Sequence, residues 1–151
     1  CALPIWYGPN PSPDFGSDYL NYGTWLGTND LSAFLTVPAA IAFQKEHDWD
    51  SVRSGCAELL GDTLARIRKL TGEPDMYPAV PHPPQLGIAK LPAGTDGAAL
   101  KNFLFERHIE IPITAKGDDV FIRVSVQGYN IQADYDQLIE ALEEWLNEAN
   151  R

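Results

Sequence analysis

The sequence predicts an α/β chain of the two-layer α+β kind, a small mainly antiparallel sheet with helices packed on one face. Three observations carry that expectation. Ile109, Ile111 and Ile113 alternate, "KGDD" supplies a turn, and Val120, Ile122, Val124 and Val126 alternate again, the pattern of a hairpin with one buried face. Apolar residues recur at helical spacing from Val52 to Leu70 and from Tyr135 to Leu146. The elements follow the order helix, helix, strand, helix, strand, strand, helix, which two packed layers satisfy.

The first stretch, "ALPIWYGPNPSPDFGSDYLNYGTWLGTND" (Ala2 to Asp30), is rich in Pro, Gly and aromatic residues and has no sustained period. It reads as a loop over something apolar. We therefore expect a segment 1–31 at an interdomain surface or interface and a small α/β domain over 32–151. From Leu31 to Gln44, "LSAFLTVPAAIAFQ" is apolar on nearly every side, which predicts a buried helix bent at Pro38. Asp50 is a good N-cap for the next helix, in which Val52, Cys56, Leu59, Leu60, Leu64, Ile67 and Leu70 share a face until Gly72 ends it. "EPDMYPAVPHPP" is a connector inside the domain, and "QLGIAKLP" a short strand. Asp96 then caps a helix carrying Leu100, Phe103 and Leu104. After the hairpin, Asn130 opens a last helix with Tyr135, Leu138, Ile139, Leu142, Trp145 and Leu146 on one face and acidic residues on the other.

A chain of 151 residues can bury one core without staples. Its formal charge of -10 argues against a nucleic-acid or anionic-membrane surface, because binding phosphate backbones needs a basic patch. No apolar run is long enough to span a bilayer, and no signal-peptide pattern opens the chain. Cys1 and Cys56 are far apart and fit no metal spacing, so the expected setting is a reducing cytoplasm. The chain starts at Cys1 and its one methionine is Met76, which leads us to expect a fragment or a domain of a longer protein.

Arg123 is the most informative polar residue. Alternation sends Val120, Ile122, Val124 and Val126 to one face and Phe121, Arg123, Ser125 and Gln127 to the other, so Arg123 lies centrally on a mixed face. Either it lies across the sheet against a carboxylate of the chain, or it offers its guanidinium as a fork for a substrate carboxylate. "GTND" at Gly27–Asp30 precedes a helix, where the residues serve as caps or as an anion site. His47, His82 and His108 have no ligand-like spacing, Asp118 and Asp119 read as turn residues, and Cys56 as inert core.

Together, "WLGTNDLSAFLTVPAAIAF", "WDSVRSGCAELL" and "IEIPITAKGDDVFIRVSVQGYNIQADYDQLIEAL" resemble the C-terminal domain of class V aminotransferase-family enzymes, the fold-type I pyridoxal-phosphate proteins. The similarity is greatest to the isopenicillin N epimerase-like branch and covers about Tyr19 to Leu146. It implies that Arg123 grips the α-carboxylate of an amino-acid substrate. It implies that Gly27 and Thr28 contact the phosphate of pyridoxal 5'-phosphate across a homodimer interface. Asn29 departs from the branch's usual Gly-Thr-Arg-Asp. The Schiff-base lysine belongs, in this family, to a large cofactor-binding domain, and none of Lys45, Lys69, Lys90, Lys101 or Lys116 lies in a matching motif. The resemblance thus implies a partner domain absent from this chain, and an isolated chain that is inactive. No Cys lies between Arg107 and Arg123, unlike the cysteine desulfurases, which leaves epimerisation, transamination or elimination at Cα. The alternative is a stand-alone, non-catalytic protein-interaction module derived from that domain.

Overall fold

The computed structural model of the chain describes residues 16–17, 30–78 and 83–149. The chain divides between Phe43 and Gln44 into two units, each described by itself.

In the first unit, α1 spans Ser32–Leu35, and α2 begins at Val37 and runs on to Glu46. Where the sequence predicts one bent, buried helix, Thr36 separates two, and neither contains a buried residue. The break has a local cause: Pro38 has no N–H to give to the carbonyl of Phe34, and it is tolerated in the first turn of a new helix. Leu31, Phe34, Leu35, Val37, Ile41 and Phe43 are all exposed. Apolar residues on every side of a helix ask for cover, and nothing among the described residues provides it.

The second unit is a three-stranded sheet with helices against one face. Helix α3, Trp49–Thr71, is capped by Asp48 and starts two residues earlier than an Asp50 cap predicts. Asp48 takes the left-handed conformation at φ 46°, accepts the Ser51 N–H on its carbonyl and the Ser51 hydroxyl on its carboxylate, and so turns the chain into the helix. Asp50 instead pairs with Arg53 at 2.5 Å within the first turn. At the other end Gly72 adopts φ 73°, and its N–H closes the helix on the Arg68 carbonyl.

Strand β1 (Leu86–Lys90) is followed by α4 (Gly97–Glu106), whose Asp96 cap accepts the N–H groups of Ala98 and Ala99, both at 3.0 Å. Of the alternating isoleucines only Ile113 enters a strand, β2 (Ile113–Lys116). Ile109 and Ile111 precede it and pack on the edge of the core. A two-residue turn with Gly117 at φ 61° leads into β3 (Asp119–Ser125). Strand order is β1-β3-β2, all antiparallel, with Ile88 opposite Arg123, Lys90 opposite Phe121 and Thr114 opposite Phe121.

Helix α5, Gln132–Ala149, completes the layer. Ala89 of β1 and Val120, Ile122 and Val124 of β3 are buried with Leu60, Leu64 and Ile67 of α3, Leu100 and Leu104 of α4, and Leu138 and Leu142 of α5. The Tyr135 hydroxyl donates to the Ser125 carbonyl at 2.9 Å, tying α5 to the end of β3. Arg66 of α3 meets Asp136 of α5 at 2.6 Å, and its guanidinium holds the Asp136 carboxyl below the usual carboxylate range. This is the predicted class, a small antiparallel sheet with helices on one face.

Candidate functional site

The sheet face turned away from the helices is where the candidate chemistry lies. Residues directly opposite in an antiparallel pair share a face. The open face therefore carries Leu86, Ile88 and Lys90 of β1, Asp119, Phe121, Arg123 and Ser125 of β3, and Thr114 and Lys116 of β2.

Arg123 stands in the middle strand of this face with an exposed side chain. Its backbone N–H is spent on the Pro112 carbonyl at 3.0 Å, which pins the strand beneath it. The guanidinium makes no ion pair or hydrogen bond among the described residues. Every other described arginine does reach a carboxylate: Arg53 with Asp50, Arg66 with Asp136 and Asp62, Arg68 with Asp75, and Arg107 with Glu144. Arg68 lies at ion-pair distance from Asp75, 3.1 Å, although the Nη1 group concerned makes no hydrogen bond. Arg107 is held twice, by a forked contact with Glu144 and by lying 3.5 Å above the Phe103 ring. In a chain with 21 acidic residues against 11 basic ones, a guanidinium without a carboxylate is unusual. Register contributes to it: on the face Arg123 has Ile88 across in β1, Leu86 and Lys90 on the β1 diagonals, Phe121 and Ser125 along its own strand and Thr114 on the β2 diagonal, none of them acidic, while Asp119 further along the strand is taken by Lys90. Among the described residues no carboxylate across the sheet pairs with it.

Lys90 shares the face but is occupied. Its ammonium is 2.9 Å from Asp119 and 3.9 Å from Glu73, and the hydrogen bond to Asp119 raises it above the usual lysine range. A lysine that captures a carbonyl needs its amine neutral, so Lys90 is held in the wrong state for that work. Lys45 lies in α2, Lys69 in the last turn of α3, Lys101 in α4 and Lys116 in β2. Gly27, Thr28 and Asn29 lie outside the described residues, while Asp30 accepts the Ser32 N–H at 2.9 Å and also bonds the Ser32 hydroxyl, which lowers its carboxyl.

Two further features lie elsewhere. A shallow groove of about 250 Å³ runs between α3 and the end of β3, lined by Val52, Cys56, Leu59, Val126, Gln127 and Asn130 among others. Cys56 on its floor is buried and free. Asn130 accepts the Gln127 N–H at 3.0 Å, and Asp134 accepts the Ile131 N–H at 3.0 Å, so the pair closes β3 and begins α5. What sequence reasoning missed is the company of Arg123. Phe121 shares its face by alternation along the strand, but Ile88 stands opposite only because β1 pairs with β3 in this register, and the alternation in "LGIAK" is the available signal.

By fold and site the unit from Gln44 onward is an α/β domain whose sheet face away from its helices presents, beside Ile88 and Phe121, one guanidinium with no ion pair among the described residues. Its curated relatives are isopenicillin N epimerases. It is 38% identical over 145 residues to isopenicillin N epimerase from Amycolatopsis lactamdurans, across 91% of this chain and 36% of that protein. It is 32% identical over 122 residues to isopenicillin N epimerase from Streptomyces clavuligerus, across 78% of this chain and 30% of that protein. The chain thus spans about a third of the length of the curated relatives it matches. The crystal structure of 8-amino-7-oxononanoate synthase (bioF) from Francisella tularensis superposes with a TM-score of 0.45 and 15% identity over 64% of this chain and 29% of that chain, a likeness too loose to argue from. No protein-family model matches the chain.

Proposed function

We propose that this chain is the small C-terminal domain of a pyridoxal-phosphate-dependent enzyme that acts at the Cα of an amino acid, with Arg123 binding the substrate α-carboxylate. The observation that carries the reading is that Arg123, alone among the described arginines, has no carboxylate of its own chain. A guanidinium fork without an ion pair offers two parallel hydrogen bonds to a carboxylate, a geometry that lysine does not reproduce. Its support is rigid, because Arg123 sits on the central strand with Val124 and Ile122 fully buried on either side of it in the chain. Isopenicillin N, from the names of the relatives, is the first substrate to try, and epimerisation, transamination and elimination are the reactions to assay.

In this reading the described residues serve substrate recognition rather than cofactor anchorage, and the Lys90 ammonium is engaged by Asp119 at 2.9 Å. Bound pyridoxal phosphate supplies the electron sink that makes the Cα proton acidic. In this reading its lysine comes from a large domain, and Gly27 and Thr28 reach its phosphate from the partner subunit of a homodimer in the cytoplasm. The isolated chain is then inactive.

The test uses the complete protein containing this chain. Arg123→Ala is expected to weaken amino-acid binding by about 2–4 kcal/mol, the scale of a lost charge-assisted pair, while cofactor absorbance is retained. Normal turnover by that variant removes the assignment.

A second reading, a non-catalytic protein-interaction module, is favoured by one observation, the exposed row Leu31, Phe34, Leu35, Val37, Ile41 and Phe43.

A further inference from the structure

Among the described residues no helix of this unit packs on the open face, yet Ile88 on it is half-buried. Strand β1 is an edge strand, so on this face Ile88 has one cross-strand neighbour, Arg123, directly opposite, with Phe121 and Ser125 on the diagonals. Side chains opposite one another in an antiparallel pair approach to about 5 Å between Cβ atoms, and arginine lays its methylene stem along apolar surface while the charge stays in water. Phe121, two residues before Arg123 on the same face, is likewise half-buried. On the β1 side the diagonal neighbours are Leu86 and Lys90, the latter a cation engaged by Asp119, and on the β2 side Thr114, and the guanidinium hydrogen-bonds to none of them.

We infer that Ile88 is the positioning residue for Arg123. Together with Phe121 it confines the arginine stem so that the guanidinium fork points off the sheet and meets a carboxylate without first paying for its own ordering. The inference rests on the reading of Arg123 as a carboxylate receptor and adds the residue that aims it. A long charged side chain loses substantial rotamer freedom when it is fixed. Confinement by Ile88 meets that loss in the folded protein, before any ligand arrives.

The test is made on the complete protein containing this chain, with acetate as the probe, by following the side-chain Nε–H signals of its arginines. In the native chain Arg123 Nε is expected to be ordered and to shift on adding acetate. Ile88→Ala is expected to loosen Arg123 selectively and to weaken acetate binding by about fivefold, the scale of losing one apolar contact along a charged stem, with Arg53 and Arg66 unchanged. Ile88→Val, which keeps the branched Cβ, is expected to restore both. If Arg123 is as ordered in Ile88→Ala as in the native chain, the positioning role is overturned while the carboxylate reading stands. If Arg123 does not respond to acetate in the native chain, the carboxylate reading fails and the inference fails with it.

Discussion

Gly87 shows how a single atom can set the spacing of two layers. A Cβ at this position would lie 2.4 Å from the Leu64 Cδ1 of α3 and 3.6 Å from the Leu60 Cδ1. Leu64 and Leu60 are both fully buried, so neither can swing aside into solvent. Gly87 is thus what lets α3 lie flat on β1. Gly87→Ala is expected to cost about 1–3 kcal/mol through overpacking, read as a lower urea midpoint with an unchanged slope. No loss of stability would mean that the helix and strand are further apart than described. Arg123 makes the complementary point at this scale: its unusual quality is an absence of acidic neighbours, and the sequence around it shows only half of those neighbours.

At the scale of elements, α5 is fastened to β3 through the Tyr135 hydroxyl, which donates to the Ser125 carbonyl at 2.9 Å. Burial, with the nearby Asp134 charge adding to it, pushes the Tyr135 phenol from 10.0 up to about 12. The folded state therefore keeps a proton that the unfolded state gives up in that window. The contribution of this group is fully present below pH 10 and is lost as pH rises toward about 12. Tyr135→Phe is expected to flatten that alkaline fall in stability while lowering stability at neutral pH by about 1 kcal/mol, the net worth of one hydrogen bond. An alkaline limb that is identical in both proteins, followed by circular dichroism against pH, would exclude Tyr135 as its source. Most elements were legible: the Gly72 stop, the Asp96 cap and the hairpin turn each depend on chemistry within a few residues. Ile109 and Ile111 were misread as strand because alternation reports one-sided burial, which an extended segment on the core's edge also shows.

For the whole molecule, the contrast between the two units matters most. The unit from Gln44 onward buries its apolar residues in one core, whereas α1 and the start of α2 leave Leu31, Phe34, Leu35, Val37, Ile41 and Phe43 exposed. Such a row in water favours association with a further copy or a further domain. Light scattering after size exclusion is expected to show the chain's mass rising with concentration, and Phe34→Ser with Leu35→Ser to suppress the rise. A strict monomer at every concentration would count against the interaction-module reading.

The sequence by itself determined the fold class, the helix faces and the candidate arginine, because period, caps and turns are set by side chains close together in the chain. It also carried the resemblance that the relatives later supported. Only the tertiary structure decided that Arg123 faces Ile88 and makes no ion pair among the described residues, that Lys90 is taken by Asp119, and that Leu31, Phe34, Leu35, Val37 and Ile41 are exposed. These depend on strand register and on what packs against what, and such contacts join residues tens of positions apart that no local pattern records.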